Sequence, residues 1–267
     1  MQGPLTLYGV PVNSRLLLGS AQYPSPQSLL DAIQQSACNI ITTAVRRQNP
    51  GRQATENSGQ SFWQTLRDSG CYILPNTAGC HSAKEAITTA EMAREIFSTS
   101  WIKLEVIGDD YNLQPDPFAL VEAAEQLVKR GFDVFPYCTD DLILCRRLVD
   151  VGCQVLMPWG SPIGTGQGLL NKVNLITLRE RFTELPLIID AGIGAPSHAS
   201  EAMELGFDAV LLNTAVAKAR QPAIMAMAFT KAIAAGRLAW EAGLMQKRQT
   251  ASPSTPTIGQ PFWHKKQ

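Results

Sequence analysis

The sequence predicts a (β/α)8 TIM barrel that is preceded by a short N-terminal hairpin. The chain has 267 residues, which suits a single α/β barrel of roughly 250 residues. Short, almost wholly apolar segments recur at intervals of roughly 20 to 35 residues, and a helical segment follows nearly every one, as parallel strands covered by helices require. A doubly wound open sheet is the main competing fold, but it usually has fewer strands and would not repeat a small polar loop after almost every strand.

The N-terminal segment and the apolar segments give the predicted strands in chain order. Residues 6–12 form short apolar runs around the turn residue Gly9, which is typical of a hairpin, and we expect this hairpin to plug one end of the core. The fourth barrel strand alternates apolar and charged residues, as a half-buried strand does. The barrel strands are predicted at 15–19, 39–45, 72–75, 101–108, 133–138, 154–157, 187–190 and 209–212.

Capping residues set the starts of the predicted helices. Ser25 is expected to cap a helix that begins at Pro26 and runs to about residue 35. Ser82 and Glu85 have the spacing of a capping box. Further helices are predicted at 62–68, 117–130, 141–149 and near Pro196, and the polar segment 48–61 is predicted to be a loop.

Charge and cysteine usage exclude several classes of function. Lys plus Arg and Asp plus Glu both number 23, so the formal net charge of zero gives no reason to expect nucleic acid or an anionic membrane as a partner. The six cysteines include no C-x-x-C pair and there are only three histidines, which favours buried reduced thiols over a metal site. The sequence shows no signal segment and no uninterrupted apolar stretch of membrane-spanning length, so a soluble cytoplasmic protein is expected.

The chain is expected to form one barrel domain over residues 1–250, followed by a flexible C-terminal tail over 251–267. The tail is rich in Ser, Thr and Pro, and it carries the aromatic residues Phe262 and Trp263. Its composition favours disorder. Docking of the two aromatic side chains onto a neighbouring subunit is the alternative interpretation.

Lys103 and Glu105 are the residues that most strongly indicate catalysis. Active sites of barrels form at the carboxyl ends of the strands, and these two charged side chains lie two residues apart on one face of a strand. Desolvation is expected to lower the pKa of Lys103 and release a neutral amine that attacks carbonyl carbon, with Glu105 as an acid/base partner. The alternative is a buried ion pair without a catalytic role. The candidate polar residues at strand ends or in the loops that follow are Asn76, Lys103, Glu105, Asp140, Asp141, Asp190, Asn213 and Thr214.

Glycine-rich segments after the sixth and seventh strands predict an anion site. Segments 160–168 and 191–194 can bring backbone N–H groups close to an anion, and Asn213 and Thr214 add donors after the eighth strand. Barrels often bind phosphate in this region. Asp190 ends the seventh strand, and it is interpreted as a catalytic base because Pro196 offers a better helix start nearby. The residues alone therefore predict a barrel enzyme that forms an imine with a phosphorylated carbonyl compound.

Several motifs, in their order along the chain, resemble those of the bacterial and plastid thiazole synthase family of thiamine biosynthesis. The resemblance extends from about residue 5 to residue 254. The motifs are VRR at 45–47, LPNTAGC at 74–80, KLEVIG at 103–108, MP at 157–158 with GSPIG at 160–164, GQG at 166–168, DAGIG at 190–194 and VLLNTAVA at 210–217.

The resemblance implies a specific set of site residues. Lys103 would form an imine with 1-deoxy-D-xylulose 5-phosphate, and Glu105 and Asp190 would be the acid/base carboxylates. The substrate-binding positions would be Gly164, Ala191, Gly192, Asn213 and Thr214.

The resemblance also implies the partners of the reaction. Sulfur would arrive as the thiocarboxylate of a small ubiquitin-like carrier protein, and condensation with dehydroglycine would close the thiazole ring. No metal or organic cofactor is expected. The chain is expected to assemble as a homodimer or homotetramer. Two other functions stay open at this point: a Schiff-base aldolase acting on a sugar phosphate, and a non-catalytic barrel that serves as a scaffold for a carrier protein.

Overall fold

Eight parallel strands form the central sheet in the part of the chain that the structure describes. A computed structural model describes residues 5–45 and 57–254, except for the side chains of 57–61. The strands are β1 (Leu5–Leu7), β2 (Val10–Val12), β3 (Leu16–Gly19), β4 (Ile40–Ala44), β5 (Tyr72–Asn76), β6 (Trp101–Leu104), β7 (Ile107–Asp109), β8 (Gln114–Pro115), β9 (Asp133–Cys138), β10 (Met157–Pro158), β11 (Ile188–Asp190) and β12 (Ala209–Leu212). The helices are α1 (Pro26–Ser36), α2 (Asn57–Asp68), α3 (Ala83–Phe97), α4 (Pro117–Lys129), α5 (Leu142–Asp150), α6 (Lys172–Arg181), α7 (Pro196–Glu204), α8 (Thr214–Ala217) and α9 (Pro222–Ala242).

The order of the strands confirms the predicted barrel. Neighbouring strands pair in the order β10, β9, β6, β5, β4, β3, β12 and β11, and every pair in this sheet is parallel. Parallel bridges from Leu156 to Leu187 and from Trp159 to Asp190 join the two ends of the sheet, which therefore curls round on itself. Helices cover the outer face, and the strands are buried on both sides, as parallel strands require.

The predicted N-terminal hairpin is confirmed, and it closes the end of the barrel at which the strands begin. β1 and β2 pair antiparallel on either side of a turn at Tyr8 and Gly9. Leu7 and Val12 belong to one buried cluster with residues such as Trp101 and Phe135, which point into the barrel. The hairpin therefore leaves the carboxyl ends of the strands as the open end.

Tyr8 fixes the hairpin to the barrel, and this contact gives a first testable prediction. Its hydroxyl donates to the carbonyl oxygen of Val134 at 2.5 Å and accepts from the N–H of Gln154 at 3.1 Å. Tyr8→Phe removes both hydrogen bonds, so the free energy of unfolding is expected to fall by about 1 to 3 kcal/mol. Urea denaturation measures the change. The same substitution at Tyr111, which is 99% exposed, is the control and should leave the midpoint unchanged; equal midpoints for both variants would contradict the prediction.

Three predicted boundaries are wrong by several residues. β6 ends at Leu104 rather than at residue 108, because Ile107–Asp109 leaves the barrel to pair antiparallel with Gln114–Pro115. β10 begins at Met157 rather than at residue 154. α2 begins at Asn57, so the last residues of the predicted loop 48–61 are helical. Residues 46–56, which hold the rest of that loop, and residues 255–267 of the tail lie outside the described residues.

The predicted helix caps are confirmed, with one difference. The hydroxyl of Ser25 accepts from the N–H of Ser28, and that of Ser82 accepts from the N–H of Glu85. The carboxylate of Glu85 accepts from the N–H of His81 at 2.9 Å, whereas a capping box would use the N–H of the cap residue itself. Pro196 begins α7, as predicted.

One helix in the described part of the chain, α9, is long and apolar enough to cross a membrane by length and composition alone. The sequence prediction of no such segment considered only uninterrupted apolar runs, and α9 is interrupted by Lys231 and Arg237. It packs against α1 and α7, with Phe229 and Ile233 buried. Gly236 lies so close to α7 that a Cβ there would sit 2.3 Å from the carbonyl oxygen of Ser200.

Candidate active site

Lys103, Glu105 and Asp190 form a buried group of charges at the open end of the barrel, which we call the charged triad. The ammonium of Lys103 lies 2.7 Å from Oδ2 of Asp190 and 3.0 Å from Oε1 of Glu105. The three residues are 5%, 5% and 3% exposed. Lys103 lies on β6, Glu105 follows that strand, and Asp190 ends β11. The barrel thus brings together two strands that are far apart in the sequence.

The triad carries two carboxylates and one ammonium. This excess of negative charge affects the pKa values of Lys103 and Asp190. Burial alone would lower the pKa of Lys103, but the adjacent Asp190 and Glu105 outweigh it and raise the pKa above its ordinary value. Burial raises the pKa of Asp190 to about 6 against the attraction of Lys103, and the charge of Glu105 adds to the increase. The resting triad therefore holds a protonated lysine next to a carboxylate that accepts a proton unusually readily.

The predicted decrease in the pKa of Lys103 is therefore wrong. That prediction considered only the desolvation caused by the apolar neighbours within β6. The strongest effect that raises the pKa of Lys103 comes from Asp190, which is 2.7 Å away in space. The lysine can become a nucleophile only after it gives up a proton, and Asp190 and Glu105 are the two groups in direct contact that can take it.

A cavity of about 440 Å³ opens above the charged triad. This volume is within the range of small-molecule sites. All the residues predicted to bind substrate line it, and the triad forms part of its floor. The substrate-binding candidates in the cavity wall are Gly164, Ala191, Gly192, Asn213 and Thr214.

The loop after β11 packs tightly against the loop after β10. Gly192 has a φ of +77°, and a Cβ at this position would lie 1.9 Å from Oγ of Ser161. Ala191 has a φ of +71°, a conformation that residues other than glycine adopt at a cost of about 1 kcal/mol or more. The N–H of Gly194 donates to Nδ1 of His198 and that of Gly168 donates to the carbonyl of Gly192, so these two N–H groups are already engaged within the protein.

Gly192→Ala is expected to disturb the cavity wall, because the new methyl group and Ser161 cannot occupy the same space. Turnover should fall by about 100-fold or more, since small displacements of a binding wall are costly. Steady-state kinetics measures the change. Ser161→Gly should recover only part of the loss in the double variant, because it removes the hydroxyl and Cβ of Ser161 but leaves its backbone nitrogen 2.5 Å from the new methyl group. Gly131→Ala is the matched control for φ, since Gly131 has a φ of +75°, its Cβ would meet no atom within 4 Å, and it lies outside the cavity. An equal loss of turnover in both glycine variants would show that φ alone, and not the clash, decides the effect.

The remaining polar candidates have structural contacts. Asp141 caps α5 and accepts from the N–H of Leu144 at 2.7 Å, and Asp140 accepts from Nε1 of Trp159 at 2.8 Å. Neither lines the cavity. Asn76 does line it, and its amide donates to Oγ1 of Thr42 at 3.2 Å.

Tyr137 belongs to the site and was not among the predicted residues. Its ring centroid lies 5.5 Å from the ammonium of Lys103. Burial and the charges of Asp190 and Glu105 raise the pKa of its phenol, which stays neutral. The strand alternation could have identified it, because Phe135 pairs with Lys103 and Tyr137 lies on the same face two residues further on.

Comparisons with known proteins show the family of the chain. A family model described as "Thiazole biosynthesis protein ThiG" matches residues 6–256. The chain belongs to the ThiG family of thiazole biosynthesis proteins. This result confirms the resemblance inferred from the motifs, including its extent.

Curated relatives of this ThiG family member carry the name thiazole synthase. The protein of Ralstonia pickettii is 59% identical over 261 residues, which are 98% of this chain and 94% of the relative. The protein of Roseobacter denitrificans is 62% identical over 252 residues, which are 94% and 97% of the two chains. The chain is thus an enzyme, a thiazole synthase that makes the thiazole phosphate moiety of thiamine. The aldolase and the non-catalytic scaffold are set aside.

Solved structures support the fold of this ThiG family member. The Amycolatopsis orientalis BexX/CysO complex contains a chain that is 30% identical, with a TM-score of 0.82, and the match covers 92% of this chain and 98% of that one. An aldolase described as 4-hydroxy-2-oxoglutarate aldolase/2-deydro-3-deoxyphosphogluconate aldolase from TTHB1 is 19% identical with a TM-score of 0.55, covers 82% and 94% of the two chains, and shows the fold alone. Within the described residues no cluster of three or more His, Cys, Asp or Glu has the arrangement of a metal site.

Proposed function

We propose that Lys103 forms an imine with 1-deoxy-D-xylulose 5-phosphate and that Glu105 and Asp190 move the protons of the reaction. The observation that carries this proposal is the position of a buried lysine between two carboxylates at the floor of the cavity. A lysine in this position can attack a ketone carbon, because both its protonated and its neutral forms have a partner within hydrogen-bond distance.

Asp190 is the group best suited to receive the proton from Lys103. It lies 2.7 Å from the ammonium, and its pKa of about 6 is closer to neutral pH than that of an ordinary carboxyl. After the proton moves, the neutral amine adds to the ketone, and loss of water leaves the carbon–nitrogen double bond of the imine. In that loss of water, Asp190 returns its proton to the hydroxyl group of the carbinolamine, which leaves as water. Glu105, on the other side of the nitrogen, is placed to move the sugar protons as the carbonyl shifts along the chain.

The phosphate of the sugar is proposed to lie against the loops after β10, β11 and β12. Gly164, Gly192, Asn213 and Thr214 line this side of the cavity, and the glycines allow the backbone to approach the ligand closely. Oδ1 of Asn213 is buried without a hydrogen-bond partner in the protein, so it can accept a hydrogen bond from a hydroxyl group of the sugar, while the phosphate would need the N–H donors of this side of the cavity. The N–H groups of Gly168 and Gly194 are left out of the proposed phosphate site because they donate within the protein.

The sulfur donor is proposed to be the thiocarboxylate of a ubiquitin-like carrier protein, and dehydroglycine the second small substrate. The 30% identical BexX chain was solved in a complex with CysO, a sulfur carrier protein, which supports a protein donor for this chain. The cavity opens at the carboxyl ends of the strands, where a flexible C-terminal segment of a carrier could enter. A separate organic cofactor is not required, since the imine itself withdraws electrons during the rearrangement.

Borohydride trapping tests the proposed imine. The enzyme is incubated with 1-deoxy-D-xylulose 5-phosphate alone, treated with sodium borohydride to convert the imine into a stable secondary amine, digested, and mapped by mass spectrometry. We expect one adduct, on the peptide that contains Lys103. Lys129→Arg, at an exposed position, is the control and should leave the adduct unchanged. A full set of peptides without an adduct, or an adduct on another lysine, would overturn the proposal.

Further properties are proposed on the family resemblance and composition. The protein is proposed to act in the cytoplasm as a homodimer or homotetramer, with one barrel domain over residues 1–250. Exposed apolar side chains on α6, including Val173 and Ile176, support assembly with a second copy.

A further inference from the structure

Glu105 lies in a less regular backbone environment than the other members of the charged triad. Lys103 is within β6 and pairs with Asn76 and Phe135 on the neighbouring strands. Asp190 ends β11, where it pairs with Leu211 and bridges to Trp159. Glu105 follows the last residue of β6 and belongs to none of these strand ladders, although it is buried. Its carboxylate must therefore be positioned by other contacts.

Thr77 supplies those contacts through a single hydroxyl group. Its Oγ1 accepts from the N–H of Glu105 at 2.8 Å and donates to the carbonyl oxygen of Glu105 at 2.7 Å. The N–H of Thr77 donates to the carbonyl oxygen of Lys103 at 3.1 Å. The side chain of Thr77 is fully buried. Thr77 thus makes hydrogen bonds to the N–H and the carbonyl oxygen of Glu105 and to the carbonyl oxygen of Lys103.

From this geometry we infer that Thr77 is a positioning residue for the reaction: its hydroxyl fixes the backbone of Glu105, which keeps the carboxylate on the nitrogen of Lys103. A hydroxyl can donate once and accept as well, so a threonine or serine satisfies both peptide groups at once. A valine of the same shape leaves both groups buried and unpaired, and the local chain must shift to find new partners. Such a shift moves the carboxylate that lies 3.0 Å from the ammonium. This inference rests on the proposed role of Glu105.

The test compares Thr77→Val with Thr77→Ser, in both the wild-type and the Glu105→Gln background. The readout is steady-state formation of thiazole phosphate with 1-deoxy-D-xylulose 5-phosphate, dehydroglycine and carrier thiocarboxylate. We expect Thr77→Val to lower kcat by about 10- to 100-fold, with KM for the sugar phosphate changed by about twofold at most. Thr77→Ser keeps the hydroxyl and should retain kcat within about threefold. Thr88→Val on the exposed face of α3 removes one ordinary hydroxyl contact, to the carbonyl of Lys84, and is the control.

The double variant separates a positioning role from a purely structural one. If Thr77 acts through the carboxylate of Glu105, then Thr77→Val should change kcat by less than about twofold once Glu105 is glutamine. If Thr77→Val lowers kcat by the same factor in the wild-type and the Glu105→Gln backgrounds, the inference is overturned. It is also overturned if Thr77→Val has the kcat of the wild type while Glu105→Gln has a reduced kcat. Full activity of Glu105→Gln would overturn the proposed role of Glu105 and the inference with it. Should Thr77→Val fail to fold, the pair Thr77→Ser and Thr77→Ala, which differ by one hydroxyl, gives the same comparison.

Discussion

Lys103→Arg is expected to abolish thiazole formation, with kcat lowered by about 10⁴-fold or more, because the proposed nucleophile of the reaction is lost. A guanidinium stays protonated at any accessible pH, so it cannot give its proton to Asp190 and attack a ketone. It does keep a positive charge next to Asp190 and Glu105, which limits the damage to the fold. Single-turnover assays with all three substrates measure the remaining rate, and the borohydride adduct should vanish.

Lys103→Ala provides the contrast that makes the arginine result informative. It leaves two buried carboxylates without a cation, which is expected to lower the free energy of unfolding by about 3 to 5 kcal/mol. Both variants should therefore be inactive, but the alanine variant should be the less stable of the two. Lys103→Arg with more than about one hundredth of the wild-type kcat would show that the lysine is not the nucleophile.

The sequence was sufficient to predict which polar side chains lie together in the structure, because the period of a strand fixes which side chains share a face. Lys103 and Glu105 are two residues apart, and Asp190 and Asn213 follow or end apolar strands, so their convergence at one end of a barrel follows from topology. Glycine-rich loops after β10 and β11 indicated the same end. The family resemblance then identified the activity, thiazole synthesis, which the residue pattern alone left open.

The protonation of the site could not be predicted in the same way. The pKa of Lys103 depends on a carboxylate that is distant in sequence and 2.7 Å away in space, so reasoning from neighbours within the strand gave the wrong direction. The end of β6 was also misjudged, because the charged and apolar residues continue to alternate after Leu104 although the chain has left the barrel sheet. That departure is the reason that Thr77, on the loop after β5, is needed to hold Glu105, and sequence alternation carries no signal for it.

Asp190→Asn is expected to lower kcat by about 100- to 10,000-fold, because an amide cannot accept the proton of Lys103. The wild-type rate should decrease as the pH falls below about 6, where Asp190 gains its own proton and stops acting as a base. The variant should lack this part of the pH profile. Asp141→Asn is the control, since an asparagine caps α5 as well as an aspartate does and the residue lies outside the cavity.

Asp190→Asn should raise the free energy of unfolding although it lowers kcat. The pKa of Asp190 is raised from an ordinary 3.8 to about 6 in the folded state, so the folded protein binds this proton more tightly than the unfolded chain does. The stability contributed by this group is fully present below pH 3.8 and is lost as the pH rises through about 6, which amounts to about 3 kcal/mol. Asparagine does not ionise and avoids this loss, so Asp190→Asn should be more stable than wild type at pH 8, by up to about 3 kcal/mol, with the difference shrinking towards pH 4. Denaturant unfolding of both proteins at these two pH values measures it. A variant that is less stable than wild type at pH 8 would show that the ionised Asp190 stabilises the triad, whereas a stable but inactive variant would show that the enzyme retains a destabilising charge because the reaction needs a base.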